Sequence, residues 1–152
     1  MNMAKVVLAA VPHAAGGRAG HIPGTTIEID TIYDQLCSAE HPLLQDSSKV
    51  VKLHDAGSMD LQAELKDTFI LHLASHGIQE EGDPLKSGFL MADKMLTVED
   101  LMKLSLPDAF LAILSACQTA RGDTQQKDQG VHLAATMQFT GFKSVIGTMW
   151  YV

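Results

Sequence analysis

The chain has 152 residues, 46% of them apolar and 5% aromatic. One domain of that length buries about two-thirds of its unfolded surface, so a core built on Leu, Val, Ile, Ala and Met is expected. The net charge of −7 comes with no Lys/Arg cluster, which excludes the electrostatic footprint of a nucleic-acid binder. No apolar run reaches the length of a membrane span, and no long apolar leader follows Met1. With only Cys37 and Cys117, a secreted disulfide framework is not expected. The composition points to a reducing compartment, cytosol or nucleus, and the expected location is cytoplasmic.

In chain order, Lys5 to Val11 (KVVLAAV) is a short continuous apolar run and predicts a buried parallel strand. A Gly- and Pro-rich segment to Gly24 predicts a flexible loop; its GGRAG run matches no phosphate-binding pattern. Thr25 and Glu28 have the spacing of a capping box. Ile29, Ile32, Tyr33 and Leu36 then form one apolar face of a helix. Lys49 to Leu53 reads as a second strand, Ser58 as the cap of a short helix burying Leu61 and Leu65, and Phe69 to Ser75 as a third strand.

Gly77 to Lys86 is acidic and predicts a loop, followed by a small hairpin around Ala92, Asp93 and Lys94. Thr97 and Asp100 open a helix with Leu101 and Leu104 inward. Phe110 to Ala116 is a fourth strand, Thr119 to Gln129 a polar segment, Gly130 to Gly141 a helix, and Ser144 to Thr148 a fifth strand. Strands alternating with helices predict a single α/β domain over residues 1–152 with a mostly parallel sheet.

Ligands of open parallel sheets bind beyond the carboxyl ends of the strands. The third strand ends Ser75-His76-Gly77 and the fourth ends Ser115-Ala116-Cys117. If those strands are neighbours, an imidazole and a thiol emerge side by side. The histidine can take the thiol proton and return it to a leaving amine. The N–H groups of Gly77 and Cys117 can form an oxyanion hole. From composition alone, a strand-end cysteine is more often an inert core residue, and a lone histidine a structural one. His72, on the same strand face as His76, reads as structural. A zinc site from His72, His76 and Cys117 is conceivable, but neither the zincin pattern nor a CxxC is present. Neither Ser75 nor Ser115 lies in a nucleophile elbow.

LHLASHG (71–77), LSACQTARG (114–122) and GVHLAATMQFTGFKSVIGTMW (130–150), in that order and spacing, resemble the CHAT domain. DPLKSGFLMADKMLTVEDL (83–101) and HIPGTTIEI (21–29) extend the resemblance over nearly the whole chain. It is similar to versions in fungal proteins that carry tetratricopeptide repeats. The resemblance implies a caspase–separase-like fold, an α/β three-layer sandwich with a mostly parallel sheet and helices on both faces, a His76–Cys117 dyad and peptide-bond hydrolysis without a cofactor. It also implies peptide or protein substrates and regulation by attached repeat or signalling domains. The family commonly has an acidic residue soon after the Trp; here Tyr151 follows Trp150. The alternative is an inactive, C-terminally truncated module that binds partner domains, its last helix or strand missing. Val145, Ile146 and Met149 are then expected to lose cover, leaving the chain marginally stable. Acidic residues near both strand ends (Glu80, Glu81, Asp83, Asp123 and Asp128) predict a basic side chain at the cleavage position, with Asp128 as the substrate contact.

Overall fold

The computed structural model describes residues 4–17, 20–38, 49–78, 80, 82–115 and 129–147, without the side chains of 129–132. Five parallel strands form the main sheet: β1 (Lys5–Ala10), β2 (Val50–His54), β3 (Thr68–Ala74), β7 (Leu111–Ser115) and β8 (Ser144–Gly147), in the order β2-β1-β3-β7-β8. All five predicted strands are present, each within a residue or two of its expected bounds.

Alternation along β1 divides the core. Val7, Ala9 and Val11 face one side with Leu71, Leu73, Ala112 and Leu114; Val6, Leu8 and Ala10 face the other with Val50 and Ile29. Helix α1 (Gly24–Ser38) covers the second face through Ile29, Ile32, Tyr33 and Leu36, the predicted stripe. Helices α2 (Ser58–Leu65), α3 (Val98–Met102) and α4 (Gln129–Thr140) cover the first through Leu61, Leu65, Leu101, Leu133 and Met137. The crossover from β1 to β2 runs one way over one face, and the later crossovers run the other way over the opposite face. All of them therefore share one hand. The chain reverses direction between β1 and β3, which sets the crevice of the sheet at their carboxyl ends.

A second, antiparallel sheet projects from that edge: β4 (Gly77–Ile78), β5 (Gly88–Leu90) and β6 (Met95–Thr97). The predicted hairpin is β5–β6, with Phe89, Leu90, Met91 and Leu96 buried. The predicted acidic loop before it is instead β4 and a 3-10 turn at Pro84–Lys86. A strand of two residues is too short to leave a periodic signature.

Two helix starts differ from expectation. The Thr97–Asp100 capping box is present. Thr25, however, lies inside α1, and its hydroxyl donates to the Ile22 carbonyl at 2.9 Å. Glu28 turns away to the sheet. Ser58 does not cap α2 either, because Gly57 occupies the cap position. Asp93, from the β5–β6 turn, takes over that role. Its Oδ1 accepts the Ser58 N–H at 2.8 Å, and its Oδ2 accepts the Ser58 hydroxyl at 3.3 Å. The Ser58 N–H, opposed by burial and aided by the Lys94 N–H, holds the Asp93 carboxyl below the usual range. A depressed carboxyl stabilises the fold above its unfolded pKa of about 4 and loses that contribution as pH falls through the folded value. Asp93→Asn is therefore expected to cost about 1 kcal/mol at neutral pH. In urea melts, its gap to wild type should close below about pH 4; a gap constant with pH would remove the charge from this account.

At the far edge, Val145 packs against the core on the α4 side, which corrects the expectation that it is uncovered. Ile146 points the other way and is 56% exposed. Met149 lies outside the described residues. Among the described residues, no helix is long and apolar enough to cross a membrane.

Candidate functional site

His76 follows the central strand of the main sheet at the crevice. Its imidazole is 7% exposed. The Nε2 atom lies 2.8 Å from the Gly20 carbonyl oxygen. A carbonyl only accepts, so the proton sits on Nε2, and in the neutral ring Nδ1 carries the lone pair of a base. The backbone is held as well: the Leu90 N–H donates to the His76 carbonyl at 2.8 Å.

That bond also decides where Gly77 points. Leu90 to His76 flanks the Gly77–Phe89 pair, which makes it a non-hydrogen-bonded pair of the antiparallel ladder. The Gly77 N–H consequently faces away from β5, off the edge of the small sheet.

β3 and β7 are neighbours, as the site requires. Their register pairs Ala74 with Ser115, and the Ser75 N–H still donates to the Ser115 carbonyl at 3.2 Å. Cys117 and Asp128, the other predicted site residues, lie outside the described residues, as do Glu81 and Asp123. Asp83 is engaged locally: its Oδ1 accepts the Leu85 N–H at 3.2 Å, and Oδ2 is 3.8 Å from Lys86 Nζ.

The loop before α1, expected to be flexible, is tied down on both sides of Gly20. Ala15 donates to the Met91 carbonyl at 3.1 Å, and Ile22 donates to the Pro12 carbonyl at 3.0 Å. Nothing in the GGRAG run announced that one of its carbonyls would meet His76, since main-chain acceptors carry no residue-type signal.

A polar network lies beneath His76 on the α1 face. Glu28 Oε1 is 2.6 Å from His72 Nε2, and Ser115 Oγ donates to Glu28 Oε2 at 3.0 Å. His72 is buried and hydrogen-bonded to Glu28 rather than aimed into the crevice. The one hydrogen of the Ser115 hydroxyl goes to the Glu28 carboxylate, so it is not paired with His72 as a nucleophile with its base. Ser75 Oγ is buried with no hydrogen-bond partner among the described residues. Glu28 escaped the sequence reading because a Glu three positions after a Thr at a helix start already has an explanation as a capping box. Its signal was the burial of His72: a histidine on a core-facing strand position needs a polar partner.

A search among curated proteins finds no match. The family model described as the CHAT domain matches residues 4–152. The match spans the whole described fold, and the parallel sheet flanked by helices is the caspase-like three-layer sandwich that such a match requires. On both grounds this chain belongs to the CHAT domain family.

Proposed function

We propose that the domain is a cysteine endopeptidase in which His76 is the general base and Cys117 the nucleophile. The observation that carries this reading is the seat of His76. It is a buried imidazole at the sheet crevice, oriented by the Gly20 carbonyl, just past the end of the strand that neighbours the one leading to Cys117. His76 follows Ala74 by two residues, and Cys117 follows its register partner Ser115 by two. In this reaction His76 takes the thiol proton and the thiolate attacks the scissile carbonyl. The Gly77 N–H, directed off the sheet edge, and that of Cys117 receive the oxyanion. The imidazolium then protonates the leaving amine, and water releases the acyl group from sulfur. Asp128 and the acidic loops on either side favour a basic residue before the cut bond; strict cleavage after Asp in a peptide library would contradict that preference.

Differential alkylation is the direct test. Cys37 is exposed on α1, so access does not limit it and it serves as an internal reference. An ordinary thiol is only a few per cent thiolate at neutral pH, about ten- to thirtyfold less than a thiolate paired with an imidazolium. The lower nucleophilicity of an acidic thiol offsets part of that advantage. Iodoacetamide at neutral pH is expected to label Cys117 about fivefold or more faster than Cys37, as read by peptide mass spectrometry. Faster labelling of Cys37 would sink the dyad.

A further inference from the structure

Helix α1 meets the main sheet through apolar side chains over β1 and β2, through Asp30, which lies 2.8 Å from Lys52 and 3.2 Å from His54 on β2, and through a second polar tie farther along. That tie is Glu28. One carboxylate oxygen meets His72 on β3 and the other meets Ser115 on β7. The register places His72 opposite Ile113, so His72 and Ser115 are diagonal neighbours on the face that α1 covers. Both present a hydrogen to the carboxylate: the Ser115 hydroxyl donates, and His72 carries its proton on Nε2 because a carboxylate only accepts.

The position of this tie gives it a consequence for the site. Glu28 lies eight residues after Gly20, and the segment between them is stitched into the start of α1. The Thr25 N–H and hydroxyl both donate to the Ile22 carbonyl, at 3.2 and 2.9 Å. Gly20 is the residue whose carbonyl orients the His76 ring. The strands tied by Glu28 are the same two that lead to His76 and Cys117.

We infer that Glu28 is a positioning residue for the His76–Cys117 pair. By gripping His72 and Ser115 together it clamps the carboxyl ends of β3 and β7 to the first turns of α1, and so fixes the Gly20 carbonyl against His76. The inference rests on the dyad reading above. A hydrophobic contact in that place would hold α1 with a tolerance of sliding. Two directional hydrogen bonds from one carboxylate set both height and rotation. Small displacements of a base from its nucleophile are costly, so the clamp should show in reactivity as well as in stability.

The experiment compares the Cys117 to Cys37 alkylation ratio and thermal melting in the full chain for Glu28→Ala, Glu28→Gln, Ser115→Ala and His76→Ala. Glu28→Ala is expected to lower the ratio about threefold, toward the His76→Ala value, while Cys37 reacts at its wild-type rate. Glu28→Gln keeps the shape: its amide oxygen accepts from His72, and its NH2 donates to a rotated Ser115 hydroxyl, so it should restore most of the ratio. Ser115→Ala, which removes one arm only, should fall between wild type and Glu28→Ala, and it decides the matter should Glu28→Ala fail to melt cooperatively. A ratio unchanged by Glu28→Ala, or by Ser115→Ala in its place, but lowered by His76→Ala overturns the clamp and leaves the dyad standing. A rise in the labelling of both cysteines with a lower melting temperature assigns Glu28 to folding alone, and also overturns it. A ratio unchanged by His76→Ala removes the dyad, and the inference with it.

Discussion

His76→Ala is expected to cut peptide cleavage by about a thousandfold while leaving the domain folded. The ring is a base buried at the crevice beyond β3. Without it, the thiol must lose its proton to water, and the leaving amine departs unprotonated. General-base and general-acid assistance together account for a loss of that size. If His76 and Cys117 act as the proposed dyad, the His76→Ala/Cys117→Ala double variant should be no worse than either single one. The structural cost is expected to be small. The bond the substitution gives up to the Gly20 carbonyl is worth about 1 kcal/mol. The His76 backbone keeps its bond from Leu90. His72→Ala should show the opposite balance. It strips the buried partner from Glu28 and lowers stability more than His76→Ala does. A peptide library read by mass spectrometry, with melting curves alongside, makes the comparison. An active His76→Ala protein beside a folded, inactive His72→Ala protein would exchange the two roles.

The second large effect is structural. Gly141→Ala and Gly88→Ala are each expected to destabilise the domain by about 3 kcal/mol or more, against a total of about 5–15 kcal/mol for a typical domain. Gly141 ends α4 with φ near 134°, a conformation that L side chains rarely adopt. A Cβ there would also meet the Leu106 carbonyl oxygen at 2.3 Å. That segment cannot give way easily, because the Leu106 N–H is bonded to the Thr140 carbonyl. At Gly88 the close approach is between the strands of the hairpin: a Cβ would lie 2.0 Å from the Leu96 carbonyl oxygen. The obstacle in both places is backbone, so no side-chain rotation relieves it. Gly147, at the end of β8, has open space around its Cβ position and supplies the control. Thermal melting should show drops of about 6–12 °C for the first two and almost none for Gly147→Ala. Equal melting temperatures for all three would show that the close approaches are not what holds α4 and the hairpin in place.

Much of this arrangement was legible in the residues because burial imposes a period. The runs KVVLAAV and FILHLAS lie on strands covered on both faces, and they are mostly apolar for that reason, His72 and Ser75 being the exceptions in the second. The stripe Ile29, Ile32, Tyr33, Leu36 and the capping box at Thr97 are local patterns whose cause is local. Strand β4 and the cap of α2 were not legible. The first is two residues long. The second is supplied by Asp93, distant in the chain, so the helix start itself carries no sign of it.

By itself the sequence determined the class of the fold, the family, and the candidacy of His76 and Gly77, since strand-end position and motif order are properties of neighbouring residues. Only the tertiary structure decided what surrounds the histidine. The Gly20 carbonyl reaches it from the loop after β1, Leu90 holds its backbone from the hairpin, and Glu28 ties His72 to Ser115 from α1. These partners come from three separate stretches of chain, and two of the contacts are made by main-chain groups. Periodicity registers which side of an element is buried. It holds no record of which acceptor the fold will bring to a given donor, and that pairing is fixed only when the sheet order sets β1, β3 and β7 side by side.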